Sequence, residues 1–152
     1  MEKATVRLII LGVMLFFASL VQFLEVSLFG VVPNAALVVI ILAALFLRDI
    51  WHELFLIACA SFLLKFSPIA NREILVFFTV GLLAIVVVRK LPWHIFVNGI
   101  FLIASATLAM YALIDPASIL SLMFVKELGY NILLTYVLYH GLMLMRHFRS
   151  VR

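Results

Sequence analysis

Long apolar runs, each ended by charged residues or a proline, fill almost the whole chain. The first extends from Leu8 to Leu24, and the last stretch, from Ser118 to Arg152, stays apolar until a basic tail begins at Arg146. Hydrophobic residues make up 68% of the 152 residues and charged residues only 12%, which excludes a soluble globular domain. At about 20 apolar residues per crossing, five or six membrane helices fit. We therefore expect an all-α membrane protein in which residues 1–152 form a single compact bundle of six transmembrane helices.

The six predicted helices follow the apolar runs. They cover residues 8–24, 33–47, 54–64 and 73–88, a run that opens at Pro92 and ends before Asp115, and a run that Pro116 starts. The second run is only about 22 Å long at ~1.5 Å per residue, so it is tilted, extended backwards through Phe29, or re-entrant. Between the second and third runs, a solvated turn is predicted from Arg48, Asp49, His52 and Glu53.

The positions of the basic residues indicate an orientation. With six spans, eight Lys and Arg residues fall on the side of the termini and three fall opposite, at Lys65, Arg72 and Lys126. Membrane proteins keep an excess of Lys and Arg in cytoplasmic loops, so both termini are predicted to be cytoplasmic. The outer side then holds Glu25, Glu73, Asp115 and Glu127. The Lys and Arg residues lie at the ends of the apolar runs, as membrane topology requires, and form no large basic surface. We therefore expect no nucleic-acid partner.

The last helix carries a polar seam. At ~100° per residue, Glu127, Asn131 and Thr135 share one face, and His140 lies opposite. Exposing the side-chain amide of Asn131 to lipid would be costly, so this face of the helix should pack against protein. The candidates for partner contact or packing are Glu127, Tyr130, Asn131 and Thr135. A similar seam of small and polar residues on the fifth helix consists of Asn98, Leu102, Ser105, Ala109 and Ala112.

No residue pattern in the sequence predicts catalysis, a metal site or a cofactor. The four histidines lie on separate corners or faces, whereas an enzyme needs a nucleophile with a base, or metal ligands, at reachable spacing. We therefore expect a non-enzymatic protein that binds membrane lipid and other membrane proteins.

The layout also resembles a known family. A proline, Pro33, starts the second of six helices, and the last helix has the pattern Glu127-x-x-Tyr130-Asn131-x-x-Leu134-x-x-x-Leu138-Tyr139. These features resemble the bacterial rod-shape-determining protein family MreD. Family members usually carry Gly-Leu-x-x-Asp in the third-helix region, where this chain has Ser61 to Lys65, so the chain resembles a divergent member.

The resemblance implies a fold similar to the substrate-binding subunits of energy-coupling-factor transporters. It implies a non-enzymatic scaffold in the cell-elongation complex, which synthesises peptidoglycan at the bacterial inner membrane. An MreC-like protein and other elongation-complex membrane proteins are the implied partners. On this hypothesis, function resides in the outer half of the sixth helix, where Glu127 guides a partner and Asn131 bonds across helices.

The alternative hypothesis is a substrate-binding membrane subunit of a small-molecule, vitamin-type transporter. Such a subunit needs several polar groups that converge in a cavity near the outer side. The sequence offers four residues for that cavity, Glu25, Lys126, Glu127 and Asn131.

The predicted topology can be checked with a reporter fused after Arg152. Because six spans return the chain to the cytoplasmic side, alkaline phosphatase at this position should be inactive and green fluorescent protein should fluoresce. Alkaline phosphatase activity from this fusion would contradict the six-span topology.

Overall fold

The computed structural model describes residues 3–25, 27, 30–47, 49–64, 71–145 and 148. Within these residues the chain forms only helices: α1 (Lys3–Phe23), α2 (Ala35–Phe46), α3 (Ile50–Leu64), α4 (Asn71–Val88), α5 (Ile95–Ile114), a short 3-10 helix (Pro116–Leu120) and α6 (Leu122–Leu144). The predicted all-α class is therefore confirmed for this part of the chain. The basic tail residues Arg146, His147, Arg149 and Arg152 lie outside the described residues.

Helix α2 is the centre of the fold. Every residue from Ala35 to Phe46 is buried, and the helix packs against each of the other five helices. Its residues are all Ala, Val, Ile, Leu or Phe, and a helix that is apolar on every side is stable only when it is enclosed. Around α2, the neighbours pack on one another in the series α1, α3, α4, α5, α6.

The central helix is short. Its 12 residues extend about 18 Å, compared with a hydrocarbon thickness of about 30 Å. Of the three alternatives for this helix, the extension back through Phe29 is wrong, because residues 31–34 are not helical; Phe29 itself lies outside the described residues. Asn34 is the N-cap residue, and its side chain accepts a hydrogen bond from the Leu37 N–H.

Several predicted helix starts are shifted, and α1 begins at Lys3, five residues before the predicted run. The last helix was expected to start at Pro116, but Pro116 begins the 3-10 helix and α6 begins at Leu122, where the Ser121 side chain accepts from the Phe124 N–H. A serine N-cap therefore sets the start of α6. Helix α3 begins at Ile50, four residues before the predicted run.

The earlier start of α3 corrects the prediction of a solvated turn. It places Glu53 inside the helix with only 2% of its surface exposed, and Glu53 Oε1 accepts a hydrogen bond from Arg89 Nη2 at 3.2 Å. Asp49 is exposed and His52 is partly buried; Arg48 lies outside the described residues. Glu53 is buried because α4 brings an arginine to it from 36 positions away.

Large apolar side chains also cover the outside of the bundle. Exposed residues include Phe16 and Phe17 on α1, Phe101 on α5, and Leu133 on α6. Two described helices, Lys3–Phe23 and Ile95–Ile114, are long and apolar enough to cross a membrane, and three more apolar helices are shorter. These properties are compatible with a membrane protein.

Two glycines provide a test of the packing around α2. A Cβ atom at Gly99 would lie 3.1 Å from Leu45 Cδ1 and 3.8 Å from Thr135 Cγ2, whereas a Cβ atom at Gly141 meets nothing within 4 Å. Gly99→Leu should therefore destabilise the fold by roughly 1–3 kcal/mol through overpacking, measured as a lower Tm in detergent. Gly141→Leu is the matched control. Equal Tm values for the two variants would contradict close approach of α5 to α2.

Candidate functional site

A cavity of about 400 Å³ lies at the end of the bundle where α1 ends and α6 begins. Its walls come from the end of α1, the α1–α2 connection, the start of α4, the end of α5 and the start of α6. The polar lining residues are Gln22, Glu25, Asn34, Glu73, Tyr111, Asp115 and Glu127, and the apolar ones are Val32, Ile74, Phe77, Met110, Ile114 and Met123. We call this space the acidic cavity.

The acidic cavity concentrates negative charge. Four of the seven acidic residues in the chain line it, and no Lys or Arg is among the described lining residues. Carboxylates that share a partly enclosed space create a negative potential, which favours a cationic guest. Among the described residues, no group of three or more His, Cys, Asp or Glu is arranged to hold a metal ion.

The floor of the acidic cavity is the capped start of α2. Gln22 Oε1 accepts a hydrogen bond from the Ala36 N–H at 3.2 Å, and Gln22 Nε2 donates to Asn34 Oδ1 at 3.2 Å. Asn34 Oδ1 also accepts from the Leu37 N–H at 3.1 Å. A free helix N-terminus attracts anions, but here side-chain oxygens already occupy these amide donors. The floor therefore adds little attraction for an anion.

Asn131 connects three helices beneath this floor. It is completely buried; its Oδ1 accepts from the Asn34 N–H at 3.0 Å, and its Nδ2 donates to Thr107 Oγ1 at 3.1 Å. Thr135, 1% exposed, donates to the Asn131 carbonyl at 2.7 Å. Asn131 and Thr135 thus form hydrogen bonds to residues of this chain, and both are buried, as residues that pack helices together are.

Thr107 was missed by sequence reasoning because the predicted seam on α5 is partly wrong. Ser105 and Ala112 of that seam are exposed. The buried face of α5 instead comprises Asn98, Gly99, Leu102, Ile103, Ala106 and Thr107. At ~100° per residue, this face is rotated by about 90° from the predicted one. The small residues Gly99 and Ala106, seven positions apart, are the signal that could have located it.

The remaining predicted residues lie around the cavity in different ways. Glu127 lines it, and its Oε2 accepts a hydrogen bond from the Tyr111 hydroxyl at 2.5 Å. Tyr130 is partly buried and outside the lining, and His140 is exposed. Of the four residues expected to line a transporter cavity, Glu25 and Glu127 do so, whereas Lys126 and Asn131 do not.

Glu25 reaches the cavity through an unusual backbone conformation. It follows the last turn of α1 with a φ of 50°, in the left-handed region, where residues other than Gly and Asn are disfavoured by about 1–2 kcal/mol. Strained residues of this kind cluster at functional sites. A glycine at this position would adopt the same conformation without strain. The chain instead has Glu25 here, which places a carboxylate at the cavity.

The Asn131 hydrogen bonds can be tested by substitution. Asn131→Leu leaves the Asn34 N–H and the Thr107 hydroxyl without this partner, so we expect a loss of roughly 1–3 kcal/mol in unfolding free energy, measured by thermal denaturation in detergent. Thr79→Val is the control, because the exposed Thr79 hydroxyl bonds only to Leu75 O on its own helix. A Tm for Asn131→Leu no lower than that of the control would show that the network is not stabilising.

Comparison with known proteins gave no relative: no protein-family model, curated protein or solved structure matches the chain. The resemblance to MreD therefore stays a hypothesis, and the acidic cavity is the structural feature from which a function can be argued.

Proposed function

We propose that this chain is a multi-pass protein of the bacterial cytoplasmic membrane, with six spans and both termini in the cytoplasm. Charge separation within the bundle supports this. The four cavity carboxylates lie at one end, whereas Arg7, bonded to Phe46 O, and Arg89 lie at the other. The end with the arginines is the cytoplasmic one by the positive-inside rule. The acidic cavity then opens towards the outer side.

The acidic cavity is the observation that carries the functional proposal. It offers four carboxylates, two side-chain amides and a tyrosine hydroxyl, with apolar walls. This set suits recognition of a cationic group by charge and hydrogen bonds. We infer a binding protein that is not an enzyme and whose guest carries a positive charge.

The guest that we favour is a Lys or Arg side chain of a partner membrane protein. A basic residue next to the partner's membrane span, on the outer side, would reach the cavity as the partner helix packs alongside. Exposed apolar residues close to the rim, Leu24 and Leu122, offer contact surface for that helix. The chain would then be a scaffold of the cell-elongation complex, and the MreD resemblance suggests an MreC-like protein as the partner.

One observation favours a second candidate function. At about 400 Å³, the cavity falls within the range of small-molecule sites, roughly 300–1,000 Å³. The chain would then be the substrate-binding subunit of a transporter for a cationic small molecule.

Neutralising the cavity separates the two functions. In the double variant Glu73→Gln, Glu127→Gln, the glutamines keep the shape and the Tyr111 hydrogen bond but remove two negative charges. If the chain is a scaffold, co-purification of the MreC-like partner from membranes should fall about tenfold, equivalent to ~1.4 kcal/mol, and cells should become round. If it is a transporter subunit, uptake of a cationic solute should be lost and cell shape should stay normal.

The matched control is Asp49→Asn, which removes an exposed acid at the opposite end of the bundle. It should leave partner capture, shape and uptake unchanged. A double variant with an unchanged Tm, full partner capture, normal shape and normal uptake would contradict a function in the acidic cavity.

A further inference from the structure

A second cavity, of about 300 Å³, lies at the opposite end of the bundle, between the end of α2, the start of α3, the end of α4 and the start of α5. Three of its lining residues carry polar side chains: Glu53, Arg89 and Asn98. We call it the basic-end cavity. The described linings of the two cavities have no residue in common.

Glu53, a residue of the cavity lining, carries an unused acceptor. Its Oε1 accepts from Arg89 Nη2 at 3.2 Å, but the buried Oε2 has no hydrogen-bond partner among the residues that the structure describes. The residue is only 2% exposed, so water does not reach this oxygen freely. A carboxylate oxygen without a partner in such a place is costly.

Asn98 presents a second unused acceptor. Its Nδ2 donates to Trp93 O at 3.1 Å and Leu91 O at 3.5 Å, and these bonds fix which way the amide points. The buried Oδ1 therefore faces away from both carbonyls, and no described residue donates a hydrogen bond to it. Two residues of the cavity lining thus carry buried acceptors that need a donor.

Arg89, in contrast, carries a positive charge and hydrogen-bond donors. Its side chain is 44% exposed, and only one of its N–H groups bonds to Glu53 in the structure. A guanidinium has five N–H donors, and its geometry suits phosphate. The complementary ligand therefore has an N–H or O–H donor at its tip and an anionic group beside it.

We propose that the basic-end cavity binds the headgroup of phosphatidylethanolamine. The ammonium group donates to Glu53 Oε2 and Asn98 Oδ1, and the phosphate accepts from Arg89. The charges match, because the ammonium lies beside the carboxylate and the phosphate beside the guanidinium. A phosphocholine headgroup carries the same charges but has no N–H donor, and a phosphoglycerol headgroup has donors but no positive charge.

The position of the cavity identifies a membrane lipid as the source of the phosphoethanolamine group. Exposed tryptophans, Trp51 and Trp93, lie at this end of the bundle, 74% and 50% exposed, and such residues mark the headgroup level of a membrane. This inference rests on the proposed location in the membrane, but not on the scaffold or transporter function.

The test uses the purified full chain in detergent, supplied with phosphatidylethanolamine, phosphatidylcholine or phosphatidylglycerol of identical acyl chains. Bound lipid is measured by native mass spectrometry, and Tm by thermal denaturation. We expect phosphatidylethanolamine to bind at least about tenfold more tightly than the other two and to give the largest rise in Tm. Equal retention of the ethanolamine and choline lipids would overturn the proposal without any variant being needed.

Glu53→Gln should abolish the preference for phosphatidylethanolamine, because it removes the charge that selects the ammonium. Glu73→Gln makes the same change in the acidic cavity and should retain the preference. Persistence of the preference in Glu53→Gln, or displacement of the lipid by equimolar soluble phosphoethanolamine, would overturn a lipid site here. The lipid preference does not depend on the result of the acidic-cavity experiment. Either proposal can therefore be overturned while the other stands.

Discussion

Both ends of α2 carry backbone groups that no residue within the helix can satisfy, and both ends lie inside the bundle. In an apolar interior each unsatisfied group costs several kcal/mol. At the start, side chains of Gln22, Asn34 and Asn131 accept from backbone N–H groups of residues 34, 36 and 37. At the end, Arg7 Nη1 donates to Phe46 O at 3.4 Å. Gln22 of α1 and Asn131 of α6 therefore satisfy backbone donors at the start of α2.

The shortness of α2 also explains why the bundle has a cavity at each end. The helix has 12 residues, whereas α1 has 21 and α6 has 23, so its neighbours extend beyond it. The acidic cavity includes the N-cap residue Asn34, and the basic-end cavity includes Ala44, Leu45 and Leu47 at the other end of the same helix. Each cavity occupies space that a full-length central helix would fill.

The helices were predictable from the sequence because apolar runs and their charged or proline ends are local signals. The α6 seam was predictable too, since one helix fixes the relation between Asn131 and Thr135. The partners of that seam were not, because Asn34 lies 97 positions from Asn131 and Thr107 lies 24 away. Glu53 was misplaced for the same reason: a charged corner looks solvated until Arg89, 36 positions later, is brought beside it. Sequence periodicity thus predicts which residues share a face, but not which faces meet.

The charged residues of the two cavities have no evident role in stabilising the fold. Carboxylates gathered with no basic residue among the described lining residues repel one another. The ion pair of Glu53 and Arg89 gains little stability, because the Glu53 carboxylate has lost its water. Apolar residues at these positions would cost the bundle less. The acidic cavity is left with negative charge that no described lining residue neutralises, and two residues that line the basic-end cavity carry acceptors to which no described residue donates. A cation would relieve the first and a donor-bearing headgroup the second, and in each case the missing group is one that a molecule outside the chain can supply.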